Sequence, residues 1–472
     1  MIKMEFTLKN VGIIEDSTLK LDGLTVVCGN NNSGKSTAGK ALYCTIESLN
    51  NLSEKRNKEL WSNYRRAAMR VCQMLDLIYF SRYVDFELMQ NHFQKDFSVL
   101  LQDMYAFRYS VSGKDPVVAF NELCEVVDLV TPEMLYKYSK KTDSELPKKF
   151  FAYLDNLRGN CEKARKYLDG LRKFYQDDSW DDFIEHSVVS LFSSEFNGQI
   201  FPVNISSQER KSFISISKNE EIGVSISLSE KKRISASIDG FKSFFNDVVY
   251  IEDPYILDRI AEQDGFSSFQ ISESSTRYTH SGKLRKLLLQ KNSESLIEQS
   301  INHETYDLLL NKISDILPGA ISMKESGFFY EEKGKEPLFV SNLATGSKMF
   351  SIIKDLIEKG IIAMDTMLIL DEPEAHLHPE WQNIFAEVIV LLVKELDTTI
   401  LLTTHSPNFL MAIEAYSQKH SISQNTHFYL SSHTNDGYRV NYHCVDGQLG
   451  QIYSSFAYPL VRMKQLKEDN ER

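Results

Sequence analysis

No stretch of this sequence approaches the roughly 20 uninterrupted apolar residues that a membrane-spanning helix requires. Its first residues, Met1-Ile2-Lys3-Met4-Glu5-Phe6, run into strand-like sequence without a cleavable apolar region. Both absences predict a cytoplasmic chain with no membrane partner. Cysteine is sparse. The six residues, at positions 28, 44, 72, 124, 161 and 444, never form a Cys-x-x-Cys pair, which argues against a disulfide framework and for reduced, mostly buried thiols. With 11 Pro and 21 Gly in 472 residues there is little material for a long flexible linker, and no fixed-period repeat exists. A positive surplus is also missing. The net charge of −12 excludes a surface that is basic all over, so contact with nucleic acid would need a local patch. Two runs qualify: Lys137 to Lys173, where acidic residues are interleaved and a solvated helix face is the plainer reading, and the shorter Lys283, Arg285, Lys286 and Lys291.

What is present is a chain long enough for two or three lobes, with 42% hydrophobic residues to fill a large core. Residues 4–28 read as short strands, among them Glu5-Phe6-Thr7-Leu8-Lys9 and Leu24-Thr25-Val26-Val27-Cys28. Ala38, Ala41, Leu42, Thr45, Ile46 and Leu49 then recur at helical spacing. From 50 to about 190 the period is helical, and no heptad persists long enough for an extended coiled coil. Alternating runs at 201–205, 213–217, 224–228 and 234–238 predict an antiparallel sheet. Val248 to Ile251 reads as a buried strand, 283–317 as helical, and 328–340 as a hairpin. Met367-Leu368-Ile369-Leu370 and Thr399-Ile400-Leu401-Leu402 flank a helix, the pattern of a parallel sheet covered on both faces, and two last strands fall near 427–431 and 438–445. The expected fold class is α/β. The expected divisions are 1–49, a helical insertion at 50–195, an antiparallel part at 196–252, a helical and hairpin lobe at 253–336, a third part of the first domain at 337–432, and a short tail at 433–472.

Gly29-Asn30-Asn31-Asn32-Ser33-Gly34-Lys35-Ser36 satisfies G-x-x-x-x-G-K-[ST] between a strand and a helix, the context the motif needs. The glycines let backbone N–H groups curl around phosphate oxygens, the helix N-terminus adds partial positive charge, Lys35 reaches the β- and γ-phosphates, and Ser36 offers a hydroxyl to Mg²⁺. Asp371 and Glu372 close an apolar strand. Asp371 suits Mg²⁺, and Glu372 suits the water that attacks a γ-phosphate. His405, in Thr403-Thr404-His405-Ser406-Pro407, follows another apolar strand and should lie at the same carboxyl edge, placed to sense the γ-phosphate. Alternate histidines His376 and His378 could converge on a metal with a carboxylate, although their setting is better explained as loop. Ile251-Glu252-Asp253 is a strand end of no evident purpose.

These segments resemble the ABC-type P-loop ATPases that include DNA-repair and chromosome-organising proteins and the SMC- and OLD-like AAA ATPases of bacterial anti-phage systems. The resemblance rests on Asn10-Val11-Gly12, Gly29 to Thr37, Leu343-Ala344-Thr345-Gly346-Ser347-Lys348, Asp371-Glu372-Pro373-Glu374-Ala375-His376-Leu377-His378-Pro379 and Thr404-His405-Ser406-Pro407, at the two ends of the chain. The Asp-Glu-Pro-Glu spelling and the insertion look most like the ATPase subunits of Septu systems, with PARIS ATPases as relatives. The resemblance implies an ABC-type head, a mixed sheet flanked by helices with an antiparallel β subdomain, and a helical insertion. It implies ATP and Mg²⁺ as cofactors, with Asn30, Asn31, Asn32, Ser33, Gly34, Lys35, Ser36 and Thr37 around the phosphates and Glu372 and His405 as catalytic residues. It further implies a head-to-tail dimer or higher oligomer in which Leu343, Ala344, Thr345, Gly346 and Ser347 of one copy meet the ATP of the other. Ala344 stands where the family has serine, and Thr345 or Ser347 would have to supply the hydroxyl. Related nucleases of the overcoming-lysogenisation-defect class carry a C-terminal metal-dependent domain. The residues after His405 are fewer than a domain of usual size and lack clustered acids, so the expected effector is a separately encoded HNH-type or other nuclease controlled by this ATPase. The alternative is a DNA-repair or DNA-tethering ATPase that acts on DNA directly.

Overall fold

A computed structural model describes residues 4–59, 148–176, 180–202, 210–230, 233–240, 244–263, 279–290, 303–324, 327–435 and 437–457, together with a few isolated positions. Two compact units divide the chain, one comprising 1–50 and 184–472 and the other 51–183. The described strands are β1 (Met4–Val11), β2 (Ile14–Lys20), β3 (Leu24–Cys28), β4 (Arg210–Lys218), β5 (Glu221–Glu230), β6 (Ile234–Asp239), β7 (Asp247–Ile251), β8 (Ala320–Lys324), β9 (Gly327–Glu331), β10 (Leu338–Phe339), β11 (Thr366–Asp371), β12 (Thr399–Thr404), β13 (Thr426–His433) and β14 (Val440–Cys444). The helices are α1 (Lys35–Leu49), α2 (Lys148–Gln176), α3 (Trp180–Glu195), α4 (Ile256–Gln263), α5 (His280–Leu289), α6 (His303–Ile316), α7 (Thr345–Glu358), α8 (Pro379–Leu396) and α9 (Pro407–Lys419).

Eleven strands form one mixed sheet in the order β6-β5-β4-β1-β2-β14-β13-β3-β12-β11-β7. From β13 to β7 every neighbouring pair is parallel, whereas β1, β2, β4, β5 and β6 pair antiparallel, so the α/β class and its antiparallel part are both present. The run at 201–205 falls largely outside the described residues, and the other three predicted alternating runs lie within β4, β5 and β6. No position of β11 is exposed, because the sheet is covered on both faces. Leu368 and Leu370 enter the large cluster that also takes Phe350, Phe385, Ile389, Phe409 and Ile413, while Ile369 turns to the other face against Gly39 of α1. Each such side chain contributes about 1.5–3 kcal/mol by leaving water.

Capping residues aim the helices that follow the parallel strands. Ser406 accepts the Phe409 N–H at 3.2 Å, and Pro407 occupies the first turn of α9, where a missing N–H costs nothing. His378 caps α8, whose first residue is likewise a proline. The two strands expected near 427–431 and 438–445 are β13 and β14. β13 pairs with β3 and β14 with β2, placing them in the middle of the sheet. Among the described residues, no helix is long and apolar enough to cross a membrane. In the smaller unit Cys161 and Leu168 of α2 are buried, and the Arg56 guanidinium sits 4.4 Å over the Trp180 ring. Cys28, Cys44 and Cys124 are also buried, whereas Cys444 is exposed.

Candidate functional site

The loop between β3 and α1 turns because Gly34 adopts φ +77°, a conformation that suits glycine. A Cβ there would also stand 3.0 Å from the Tyr442 hydroxyl. Tyr442, on β14, is buried beneath the loop, and its hydroxyl donates to the Ser33 carbonyl at 3.3 Å. Asn30, Asn31, Asn32 and Ser36 face solvent, Ser33 and Lys35 are buried, and Thr37 lies under Gly12 of the Asn10-Val11-Gly12 turn. Lys35 Nζ donates to the carbonyls of Gly29 at 2.9 Å and Asn30 at 3.0 Å, and stands 3.2 Å from Glu372 Oε1. The other oxygen of that carboxylate, Oε2, is 3.2 Å from His405 Nδ1. Residues from the ends of β3, β11 and β12 thus converge along one rim of the sheet, where ligands of parallel α/β sheets bind.

Glu372 holds φ +48°, an uncommon conformation for a residue with a side chain. Its amide is secured by Thr403, whose carbonyl and hydroxyl both accept it at 3.1 Å. Asp371 is buried and oriented from two sides. Thr403 Oγ1 donates to its Oδ1, and the Tyr250 hydroxyl donates to its Oδ2 at 3.1 Å. Each carboxylate oxygen retains acceptor capacity, and with the Ser36 hydroxyl the donors are all oxygen, the type Mg²⁺ takes.

Behind Tyr250 lies a charged cluster that gives the Ile251-Glu252-Asp253 end of β7 a place. The His280 ring is tilted over Tyr250 with centroids 4.5 Å apart, its Nδ1 meets Glu195, and its Nε2 is 3.0 Å from Glu252, which also faces Lys40 of α1. Burial pushes the His280 pKa down, but hydrogen bonds to the two glutamates outweigh it and hold the value at about 9, so the ring is cationic at neutral pH.

The Leu343 to Ser347 segment starts α7 and makes no hydrogen bond or ion pair with Lys35, Asp371, Glu372 or His405 among the described residues. Ala344 is the exposed N-cap and lacks a side chain to cap with, Thr345 is half-exposed, and Ser347 is buried, so of the two hydroxyls Thr345 is the one presented. Gly346 packs on the loop after Glu372: a Cβ there would stand 3.2 Å from the His376 carbonyl and 3.1 Å from Leu377. His376 meets Tyr255 edge-to-face at 5.6 Å, and His378 accepts the Glu380 N–H at 3.4 Å. Of the shorter basic run, Lys283 points inward to Glu47 at 2.6 Å and to Asp247. In the sequence Thr403 stands only as the lead-in to His405, and Tyr250 and Tyr442 belong to no motif. Their only signal was membership of buried strands.

Comparison with solved structures finds likeness to an SMC head domain from Thermotoga maritima, at 11% identity and a TM-score of 0.37 over 94% of this chain and 99% of that one. A second is an Smc head bound to the C-winged helix domain of ScpA, at 12% identity and 0.40 over 95% and 99%. A third is an Smc head domain with an extended coiled coil, bound to the C-terminal domain of ScpA derived from Pyrococcus furiosus, at 12% and 0.36 over 100% of both chains. No curated protein matches. The family model described as "AAA domain, putative AbiEii toxin, Type IV TA system" matches residues 24–412, from the strand that carries the phosphate loop to the helix after His405, and the chain belongs to that AAA family.

Proposed function

We propose that this chain binds ATP with Mg²⁺ along the rim formed by β3, β11 and β12 and hydrolyses it, and that it serves as a sensor and regulatory subunit of a bacterial anti-phage system of the Septu kind. The observation that carries the hydrolytic reading is the chain of contacts from Lys35 through Glu372 to His405. The loop N–H groups and the N-terminus of α1 hold the phosphates, and Lys35 draws charge from the β- and γ-oxygens. Ser36 and Asp371 hold Mg²⁺, which when bound neutralises charge on those oxygens. Glu372 orients a water and takes its proton as the new O–P bond forms at the γ-phosphorus and the bond to the β-phosphate oxygen breaks, with ADP leaving. His405, 3.2 Å from the same carboxylate, faces the departing phosphate.

Leu343, Ala344, Thr345, Gly346 and Ser347 complete the site of a second copy, and ATP occupancy sets the oligomer that restrains a separately encoded nuclease. Support comes from the exposed start of α7, where Ala344 is exposed and Thr345 half-exposed. The test joins three measurements on the purified chain: Mg²⁺-dependent ATP hydrolysis, oligomer mass with and without ATP, and co-purification with the products of neighbouring genes. Hydrolysis without a bound partner, accompanied by salt-sensitive DNA binding, would favour the DNA-tethering reading instead.

A further inference from the structure

Glu374 is spelled like a solvated acid in a surface loop, yet its side chain is 1% exposed. Its Oε1 accepts two hydrogen bonds from the loop that carries His405, one from Thr404 Oγ1 and one from the His405 backbone N–H at 3.3 Å. Its Oε2 is buried and has no hydrogen-bond partner among the described residues. Burial raises the pKa of this carboxyl, against the hydrogen bonds that lower it. Gln382 makes a second tie between the same two loops. Its Oε1 accepts from Ser406 Oγ and Asn408 Nδ2, each at 3.1 Å, while its Nε2 donates to the carbonyls of Leu377 at 3.1 Å and Glu374 at 3.4 Å.

We infer that Glu374 is a positioning residue for His405, fixing the backbone of the 404–406 loop so that the imidazole meets Glu372. The geometry leaves little else for this side chain to do: it is 1% exposed, it forms no ion pair among the described residues, and both donors it binds lie at His405 or one residue before it. A carboxyl without a compensating cation is best tolerated uncharged, and what the loop requires is an acceptor at Oε1, not a negative charge. The inference rests on the ATP-hydrolysing reading of the rim.

The experiment compares the wild type with Glu374→Gln, Glu374→Ala and Lys35→Ala, measuring binding of Mg-ATP by titration and the kcat and KM of hydrolysis. The glutamine variant keeps the acceptor and should hold kcat within about twofold, whereas the alanine variant should lose about tenfold in kcat with ATP affinity unchanged. Thr404→Val removes one of the two donors while keeping the shape of a β-branched side chain. It should reproduce the loss of kcat, and it carries the test if Glu374→Ala does not fold. Unchanged kcat in the alanine or valine variant overturns the inference, as does a glutamine variant as impaired as alanine, or a parallel loss of affinity and kcat. A wild type that neither binds nor hydrolyses Mg-ATP overturns the ATPase reading instead, and a Lys35→Ala protein that still does both overturns the placing of ATP at the rim.

Discussion

Glu372 faces Lys35 with one carboxylate oxygen and His405 with the other, each at 3.2 Å, so one acid at the end of β11 spans the space between the phosphate loop and the histidine loop. Lys35 is buried and Glu372 is not, which places the cation at the back of the rim and the acid toward solvent. A group entering from solvent meets the carboxylate first, and its deepest charge can reach the ammonium.

Replacing Lys35 with alanine removes a buried cation and the donor to two loop carbonyls. ATP affinity should fall by about 10- to 100-fold, the effect of losing a charge-assisted hydrogen bond to an anion. Titration with a fluorescent ATP analogue measures it.

Glu372→Gln keeps the size and the αL backbone of the native residue but cannot accept a proton. Binding should persist while kcat falls by at least about 100-fold, as expected on loss of a general base. Single-turnover hydrolysis beside equilibrium ATP binding separates the two, and a normal hydrolytic rate would place the water-orienting acid elsewhere.

Tyr250→Phe deletes the hydroxyl that orients Asp371 while retaining the ring against which His280 lies. The Mg²⁺ concentration for half-maximal hydrolysis should rise about tenfold, in line with the loss of a partner that orients a metal ligand. ATP affinity without Mg²⁺ should not change.

Glu387 joins α8 to α6 and α9 through Lys312 at 2.7 Å, Lys419 at 2.8 Å and His420 at 3.1 Å. Burial pushes its pKa up, but the hydrogen bonds from Lys312, Lys419 and His420 outweigh it and leave a value of about 2. A carboxyl depressed in the folded state stabilises fully above its unfolded pKa, near 4.3, and loses that contribution as pH falls toward the folded value. Glu387→Gln should therefore lower Tm at pH 7 by an amount that shrinks between about pH 5 and pH 3, seen by thermal melts across that range.

The rim was legible because phosphate chemistry constrains spelling: a glycine-rich turn, a lysine and two acids after an apolar run are tied to the elements that present them. Lys35, Glu372 and His405 do converge. Side-chain period also revealed β11 and β12, since each is apolar without interruption between turns. Pairing was harder to read. Alternation in 427–431 and 438–445 shows that strands exist but not that they lie between β2 and β3, because a strand's neighbours are chosen by long-range burial and not by its own period. Glu374 carried no signal of its own beyond the Asp371 to Pro379 segment, and only the return of the Thr404 loop over it accounts for its burial.

The order of strands around β3 also bears on how the molecule is made. Both neighbours of the strand that bears the phosphate loop, β12 and β13, are translated after residue 398, while the loop itself is finished by residue 36. A ribosome-bound fragment ending before β12 would leave both edges of β3 unpaired and the loop without its supporting Tyr442. Nucleotide capture by the nascent chain must then wait until nearly the last strand has emerged, and long-range pairing of this kind makes acquisition of the site a late event in folding.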